Sequence, residues 1–272
     1  MKSVHFKNVF KRKDAGTQRK AMLQMSHSHR CLLLFGVIAV LNSSCEKDHM
    51  LDCFKGTGSV ETESRSAPAF NRVYVYDNVD AEIYPGHDFK IEVTAGSKLI
   101  ESITTEVKDN VLYIHNENKC NWVRSFKNEF KAKVWLPDMV ELNAYGSGDV
   151  TLKDTIRANE FVYNNWAATG DILMLFNTGS ARPNIHTGSA NITLRGHIGV
   201  LYLYNNGVGV VDARDCDSDI IFTESLAPNN QYVNANHELD VKISYTGDIY
   251  YNGNPSTIKK QGVGTGRLIK MD

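Results

Sequence analysis

From Phe70 onward the chain alternates apolar and polar positions with a period of two. Val73 and Val75, then Val79, Ala81 and Ile83, lead up to a turn at Pro85 Gly86, and Phe89, Ile91 and Val93 continue the pattern. Successive side chains of a strand point to opposite faces, so each run predicts a strand with one buried face. Ile103 to Val107 and Val111 to Ile114 flank Asp109 Asn110, a hairpin signal. This N-terminal part reads as antiparallel strands and hairpins, and Lys98 to Ser102 is the one stretch that reads as a short helical turn. Phe130, Ala132, Val134 and Leu136 end at Pro137, and Val140, Leu142 and Ala144 lead into a Gly/Ser turn.

Beyond that point one unit repeats, a Gly/Thr/Ser/Asp turn followed at once by a short alternating strand. Its turns centre near residues 147, 170, 188, 208, 247 and 265, and the wide gap before 247 spans about two steps. Ala227 Pro228 Asn229 Asn230 fills that gap as a degenerate copy, because Pro presets a turn and Asn tolerates positive φ. The step is then about 20 residues throughout, with strands before the turns at Phe161 to Tyr163, Val200 to Tyr204, Ile220 to Phe222 and Val241 to Tyr245. Two strands per step and no helical periodicity predict an all-β chain whose main body is a parallel β-solenoid. A series of hairpins in a β-sandwich is the competing architecture, but it gives no reason for one turn chemistry at one step. In a solenoid, Gly146, Gly148, Gly170, Gly188, Gly207, Gly209, Gly247, Gly264 and Gly266 are structural positions, supplying positive φ and close backbone approach where the coil bends.

The first 44 residues follow a different pattern. Eight Lys or Arg and a single acid, Asp14, precede the apolar run Cys31 to Leu41, which ends in Asn42 Ser43 Ser44 Cys45. A basic head, an apolar stretch too short to span a bilayer and small residues before a break predict an export signal over residues 1–44. The basic head is long for such a signal, and Met25 lies closer to the apolar run as an expected true start. The run into Cys45 resembles a bacterial lipobox, with Asn42 where Leu is usual, so Cys45 is the expected site of lipidation and the membrane a partner through that anchor. Glu46 Lys47 Asp48 is similar to a short surface-export signal, which makes the expected location the outer membrane and cell surface. Residues 45–68 are polar and rich in Gly and Ser, a tether within which an extended edge segment begins, and residues 69–272 form one domain.

Composition then removes some functions. Without the signal the chain holds 22 basic against 30 acidic side chains, a charge of −8, which disfavours nucleic acid as a partner. Cys53, Cys120 and Cys216 besides Cys45 are too sparse for a disulfide framework and have no zinc spacing.

Phe70 Asn71 Arg72 Val73, the Leu-Pro strand Val134 Trp135 Leu136 Pro137, the successive Gly-Ser-Gly turns and the closing Ser244 to Pro255 segment with its Gly253 Asn254 Pro255 are together similar to the putative auto-transporter adhesin, head GIN domain family of Bacteroidetes lipoproteins. The resemblance covers about residues 69–270 and implies a right-handed β-helix-like fold and an adhesin-type function. Ala167 Ala168 Thr169 and Ala227 to Asn230 depart from the family's turns.

Candidate chemistry is thin. Asp149, Asp171 and Asp248 follow turns and could stack into a calcium row, yet the nine-residue period of calcium β-helices is absent, and bonding within the turn accounts for them. Gly262 to Gly266 lacks the Lys and helix of a phosphate loop. The His residues are scattered, so no metal and no cofactor is expected, and no Asp/Glu pair with a basic neighbour recurs to make a carbohydrate-active enzyme. Aromatics are the strongest pointer. Tyr163, Tyr202, Tyr204, Tyr232, Tyr250 and Tyr251 recur from coil to coil and are candidates for a ligand-binding face, although β propensity and coil-to-coil stacking also place Tyr there. Tyr202 and Tyr204 share one strand face and Leu201 and Leu203 the other. The expected function is therefore non-enzymatic adhesion or binding of glycans or of envelope or host proteins. A polysaccharide lyase or hydrolase on the same scaffold and a structural envelope subunit are the alternatives, and oligomeric state is left open.

Overall fold

The computed structural model describes residues 56–119 and 129–271. The export signal, the lipidation candidate Cys45, the start of the tether, Cys53 and Cys120 lie outside the described residues. All described residues belong to one compact unit, within residues 52–272.

Two parallel ladders build that unit. The first joins β6 (Val111–Asn116), β2 (Arg72–Val75), β8 (Glu141–Ala144) and β10 (Glu160–Trp166). It continues through the second halves of β11 (Ile172–Thr187), β12 (Ile192–Asn205), β13 (Val211–Ser225) and β14 (Gln231–Ile243) and ends at β16 (Thr257–Gln261). The second ladder joins β7 (Lys131–Leu136), β3 (Asp80–Pro85) and β9 (Val150–Leu152), then the first halves of β11 to β14, then β15 (Ile249–Asn252) and β17 (Leu268–Lys270). Register follows the sequence period, since Ile172 lies opposite Ile192, Ile192 opposite Val211, Val211 opposite Gln231 and Gln231 opposite Ile249. The degenerate corner at Ala227 to Asn230 takes its expected place: Asn229 donates to the Val208 carbonyl and the Gly247 N–H donates to the Ala227 carbonyl at 3.0 Å. The chain is thus a parallel β-solenoid with two walls.

Antiparallel pairing is confined to the N-terminal end. There β1 (Val60–Arg65) lies on β4 (Lys90–Gly96), β4 on β7, and β5 (Ile103–Lys108) on β6. Asp109 and Asn110 both take positive φ, 52° and 62°, the pairing that a two-residue hairpin needs. A single 3₁₀ turn at Ile100–Ser102 falls within the segment expected to be helical. The expected edge segment is β1, anchored where the Arg65 guanidinium donates to the Ile100 carbonyl at 3.1 Å.

One part of the pattern is deceptive. The strands β2 and β3 read as members of antiparallel pairs, yet both stack in parallel, β2 between β6 and β8 and β3 between β7 and β9. The chain lays β2 and β3 first, leaves through β4 and β5, returns to place β6 and β7 on one side, and then sets β8 and β9 on the other. Alternation reports which face is buried and is blind to the direction of the neighbouring strand.

Both walls send alternate side chains into one core. Phe161, Leu201, Leu203 and Leu239 enter from the first wall, and Ile172, Met174, Ile192, Leu194 and Val211 from the second. Each such side chain contributes roughly 1.5–3 kcal/mol by leaving water. Cys216 is buried among them, and burial pushes its thiol up to about 12.

The corners hold the coils in register in two ways. Of the nine turn glycines only Gly188 has positive φ, 109°, so left-handed geometry is not what the others supply. Their role is close approach: a Cβ on Gly209 would lie 1.9 Å from the Ala190 carbonyl oxygen of the preceding coil. The second device is a column of Asp and Asn. Asp80 accepts from the Asp149 N–H at 2.9 Å, Asp149 from the Asp171 N–H at 2.7 Å, and Asp171 from the Asn191 side chain at 3.1 Å. Asn191 accepts from the Val210 N–H at 3.1 Å, Asn230 from the Asp248 N–H at 3.2 Å, and Asp248 from the Arg267 N–H at 2.7 Å. The post-turn carboxylates expected to bond within their own turns therefore bond across to the next coil.

Two stability measurements follow. Gly209→Ala forces backbone apart and is expected to cost about 3 kcal/mol, whereas Gly86→Ala, with φ at 88° and nothing within 4 Å of the new Cβ, should cost only about 1 kcal/mol. Equal costs in denaturant unfolding would mean that the contact between coils adds nothing at Gly209. Asp149→Ala should lose about 1 kcal/mol by stranding the Asp171 N–H, while Asp149→Asn, which keeps an acceptor, should stay near wild type. A loss with both would show that the charge matters and the hydrogen bond does not.

Candidate functional site

The first wall carries the unusual surface. Inward positions of β10 to β13 are Phe161, Tyr163 and Asn165, then Ala181 and Ile185, then Leu201, Leu203 and Asn205, then Ile221 and Thr223, all buried. Their alternates face outward, so the wall shows Asn164 and Trp166, then Arg182, Asn184 and His186, then Tyr202 and Tyr204, then Phe222 and Glu224. Because equivalent residues recur at about one 20-residue step, these side chains line up in columns along the stack.

Two columns are aromatic. Trp166 stacks on His186 with centroids 3.8 Å apart and planes 12° from parallel, and its indole N–H donates to Asn143 Oδ1 at 3.2 Å. Burial holds the His186 imidazole below its ordinary pKa, so it enters the stack neutral at pH 7. In the neighbouring column the Arg182 guanidinium lies 4.1 Å from the Tyr202 ring centroid, and Tyr202 stacks on Phe222 at 5.4 Å and 15°. Between them Asn184 donates to Asn164 Oδ1 at 3.1 Å. Nearer the N-terminal end, Tyr76 is sandwiched between His115 at 4.1 Å and Tyr145 at 4.3 Å. Burial first, and the neighbouring Tyr145 second, push the Tyr76 hydroxyl up to about 12, so it remains a donor.

The aromatic stack ends at a step. Past Phe222 the next coil offers Asp240 and Lys242, opposite Phe222 and Glu224 in register. The shorter and more flexible side chains leave a shallow groove of about 290 Å³ lined by Asn184, Tyr202, Tyr204, Phe222, Glu224, Asp240, Lys242 and Gln261. One ion pair lies in it, with Lys242 Nζ 2.6 Å from Glu224 Oε1, and the Gln261 amide donates to Asp240 Oδ1 at 3.4 Å.

The six tyrosines singled out from the sequence do not converge. Tyr202 and Tyr204 lie in the groove. Tyr163 is a correction: it is fully buried on the inward face of β10, in phase with Phe161, and its hydroxyl is without a hydrogen-bond partner. Tyr232 and Tyr250 stack on each other at 5.2 Å on the second wall, with Arg214 4.7 Å from the Tyr232 centroid. Tyr251 is half-buried against the core. Sequence reasoning missed Arg182, Asn164, Asn184 and His186, whose signal is the column spacing: 164, 184 and 204 differ by the repeat, as do 166 and 186.

Among the described residues no group of three or more His, Cys, Asp or Glu is placed to hold a metal ion. Asp212 and Asp248 lie below the usual carboxylate range because Arg214 and Arg267 hydrogen-bond their charged forms, the opposite of what a general acid needs. No described helix is long and apolar enough to cross a membrane.

Solved structures share this architecture. A putative adhesin from Bacteroides fragilis superposes with a TM-score of 0.73 at 18% identity, over 78% of this chain and 97% of that one. A putative lipid binding protein from Parabacteroides distasonis reaches 0.64 at 21% identity, over 80% and 98%. A putative adhesin from Parabacteroides merdae reaches 0.61 at 15% identity, also over 80% and 98%. At these identities the likeness is one of fold. No curated protein sequence matches the chain. The family model described as putative auto-transporter adhesin, head GIN domain, matches residues 69–255, and the chain belongs to that family.

Proposed function

We propose that this protein is an exported, non-enzymatic adhesin of the cell envelope, held to the membrane by a lipid on Cys45, whose first wall grips an external glycan or protein. The observation that carries the binding part is the first wall's outward surface. Trp166, Phe222, Tyr202 and Tyr204 stand half-buried or exposed beside paired amides and a groove, an aromatic patch on an outward face. Aromatic rings with polar tips supply large contact area at small entropic cost, which is what an adhesive surface requires. Family membership supports the adhesin reading. The anchor rests on the sequence around Cys45 alone.

Both parts are open to direct test. Trp166→Ala combined with Tyr204→Ala is expected to reduce retention of the full chain on immobilised envelope and mucosal fractions at least tenfold, with a thermal transition within about 4 °C of wild type. Unchanged retention would contradict the assignment of this wall. In a lipoprotein-processing bacterium fed an alkyne palmitate, the wild type should take up label and Cys45→Ser should not. Equal label in both, or none in either, would contradict the anchor.

A further inference from the structure

We infer that the groove beyond Phe222 receives an uncharged saccharide, one sugar ring of which takes the place of the missing next ring in the aromatic column. This rests on the first wall being the contact surface and names the class of ligand it holds.

The column itself defines the vacancy. Tyr202 is covered on one side by Arg182 and on the other by Phe222, so neither of its faces is free. Phe222 is covered by Tyr202 on one side only, and the residue in register with it on the next coil is Asp240, not a ring. One face of an apolar ring that is 36% exposed therefore looks along the stack into an open groove. Parallel strands repeat at about 4.8 Å, so the vacant rung is one stacking distance from Phe222.

The polar groups around the vacancy select the occupant. Asp240, Glu224, Lys242 and Gln261 lie about the free face of Phe222 with acceptors and donors, while Asn184 lines the groove two coils back. A pyranose answers both parts at once, with C–H groups against the ring and hydroxyls on the rim. An aromatic side chain from a protein would stack equally well on Phe222, but would cover these polar groups without giving them partners, which is costly. The charges disfavour an anionic ligand. The groove's one cation, Lys242, is paired with Glu224, and Asp240 accepts from the uncharged Gln261 amide, so no unmatched cation in the groove waits for a sulfate or uronate. The neighbouring column adds no charge either, since His186 is held neutral.

The test is calorimetric titration of the full chain with a panel of neutral oligosaccharides, gluco-, manno- and xylo-hexamers, beside heparin and polygalacturonate. Binding to at least one neutral hexamer is expected, changing less than about twofold between low and high salt because no ion pair is made. Phe222→Ala should weaken it at least tenfold and Asp240→Ala should weaken it too, while Tyr250→Ala on the second wall should leave it unchanged. Circular dichroism melts of all three variants establish that they fold. Binding only to the charged polymers, no binding to any neutral hexamer, or neutral binding indifferent to Phe222→Ala would each overturn the inference. In those cases retention on envelope fractions that still depends on Trp166 and Tyr204 would leave the wall as the contact surface and remove only the saccharide. Loss of that dependence would remove both.

Discussion

Everything in this molecule depends on how closely one coil's corner can lie against the corner before it. The backbone of Gly148 touches that of Val79, Gly170 that of Gly148, and Gly209 that of Ala190, at separations where a methyl group has no room. That proximity brings each strand into hydrogen-bonding distance of its equivalent on the next coil, and the two parallel ladders follow from it. The Asp and Asn column at the same corner then fixes the register, because each oxygen accepts from one particular residue of the following coil. Apolar burial supplies most of the free energy and excludes a one-residue slip, which would turn each strand's apolar set outward, whereas the glycine contacts and side-chain acceptors also reject the two-residue slips that burial tolerates.

Register at the corners is also what makes the outer surface of the first wall a coherent object. Were the coils to slip, Trp166 would no longer lie over His186, nor Tyr202 over Phe222. A solenoid turns a residue choice made once per step into a column, so a run of aromatic choices becomes a stack and its last member becomes an edge. Phe222 is that last member in its column, and the groove past it exists because the following coil places Asp240 there. Site and scaffold therefore share one geometric cause.

Much of this was legible in the residues. The turn spacing gave the coil length, and even the copy at Ala227 to Asn230, which lacks glycine, could be placed by counting. The interleaved first coils could not, because the alternation of Val73 and Val75 or of Val134 and Leu136 is the same whether the neighbouring strand runs parallel or antiparallel. The binding face was half legible. Tyr202 and Tyr204 are told apart from Leu201 and Leu203 by the period of two, but which set faces water is decided by the partner wall, and at Tyr163 the phase puts the tyrosine inside. Arg182, Asn184 and His186 become visible only when residues are compared down the columns at the coil period, since along the chain they look like ordinary polar positions. The turn carboxylates illustrate the same limit: their role as acceptors was readable, and that their donors lie a full coil away was not.

The central claim, that side-chain acceptors at the corners tie each coil to the next, is tested most directly by native-state hydrogen exchange at the donated amides. The N–H groups of Asp171, Val210 and Arg267 point at Asp149, Asn191 and Asp248 of the preceding coil. They should exchange as slowly as the ladder amides of the adjoining strands, opening only when a whole coil opens. Exchange at the rate of an unstructured turn, with the strands on either side protected, would show that the corners are passive connections and contradict it.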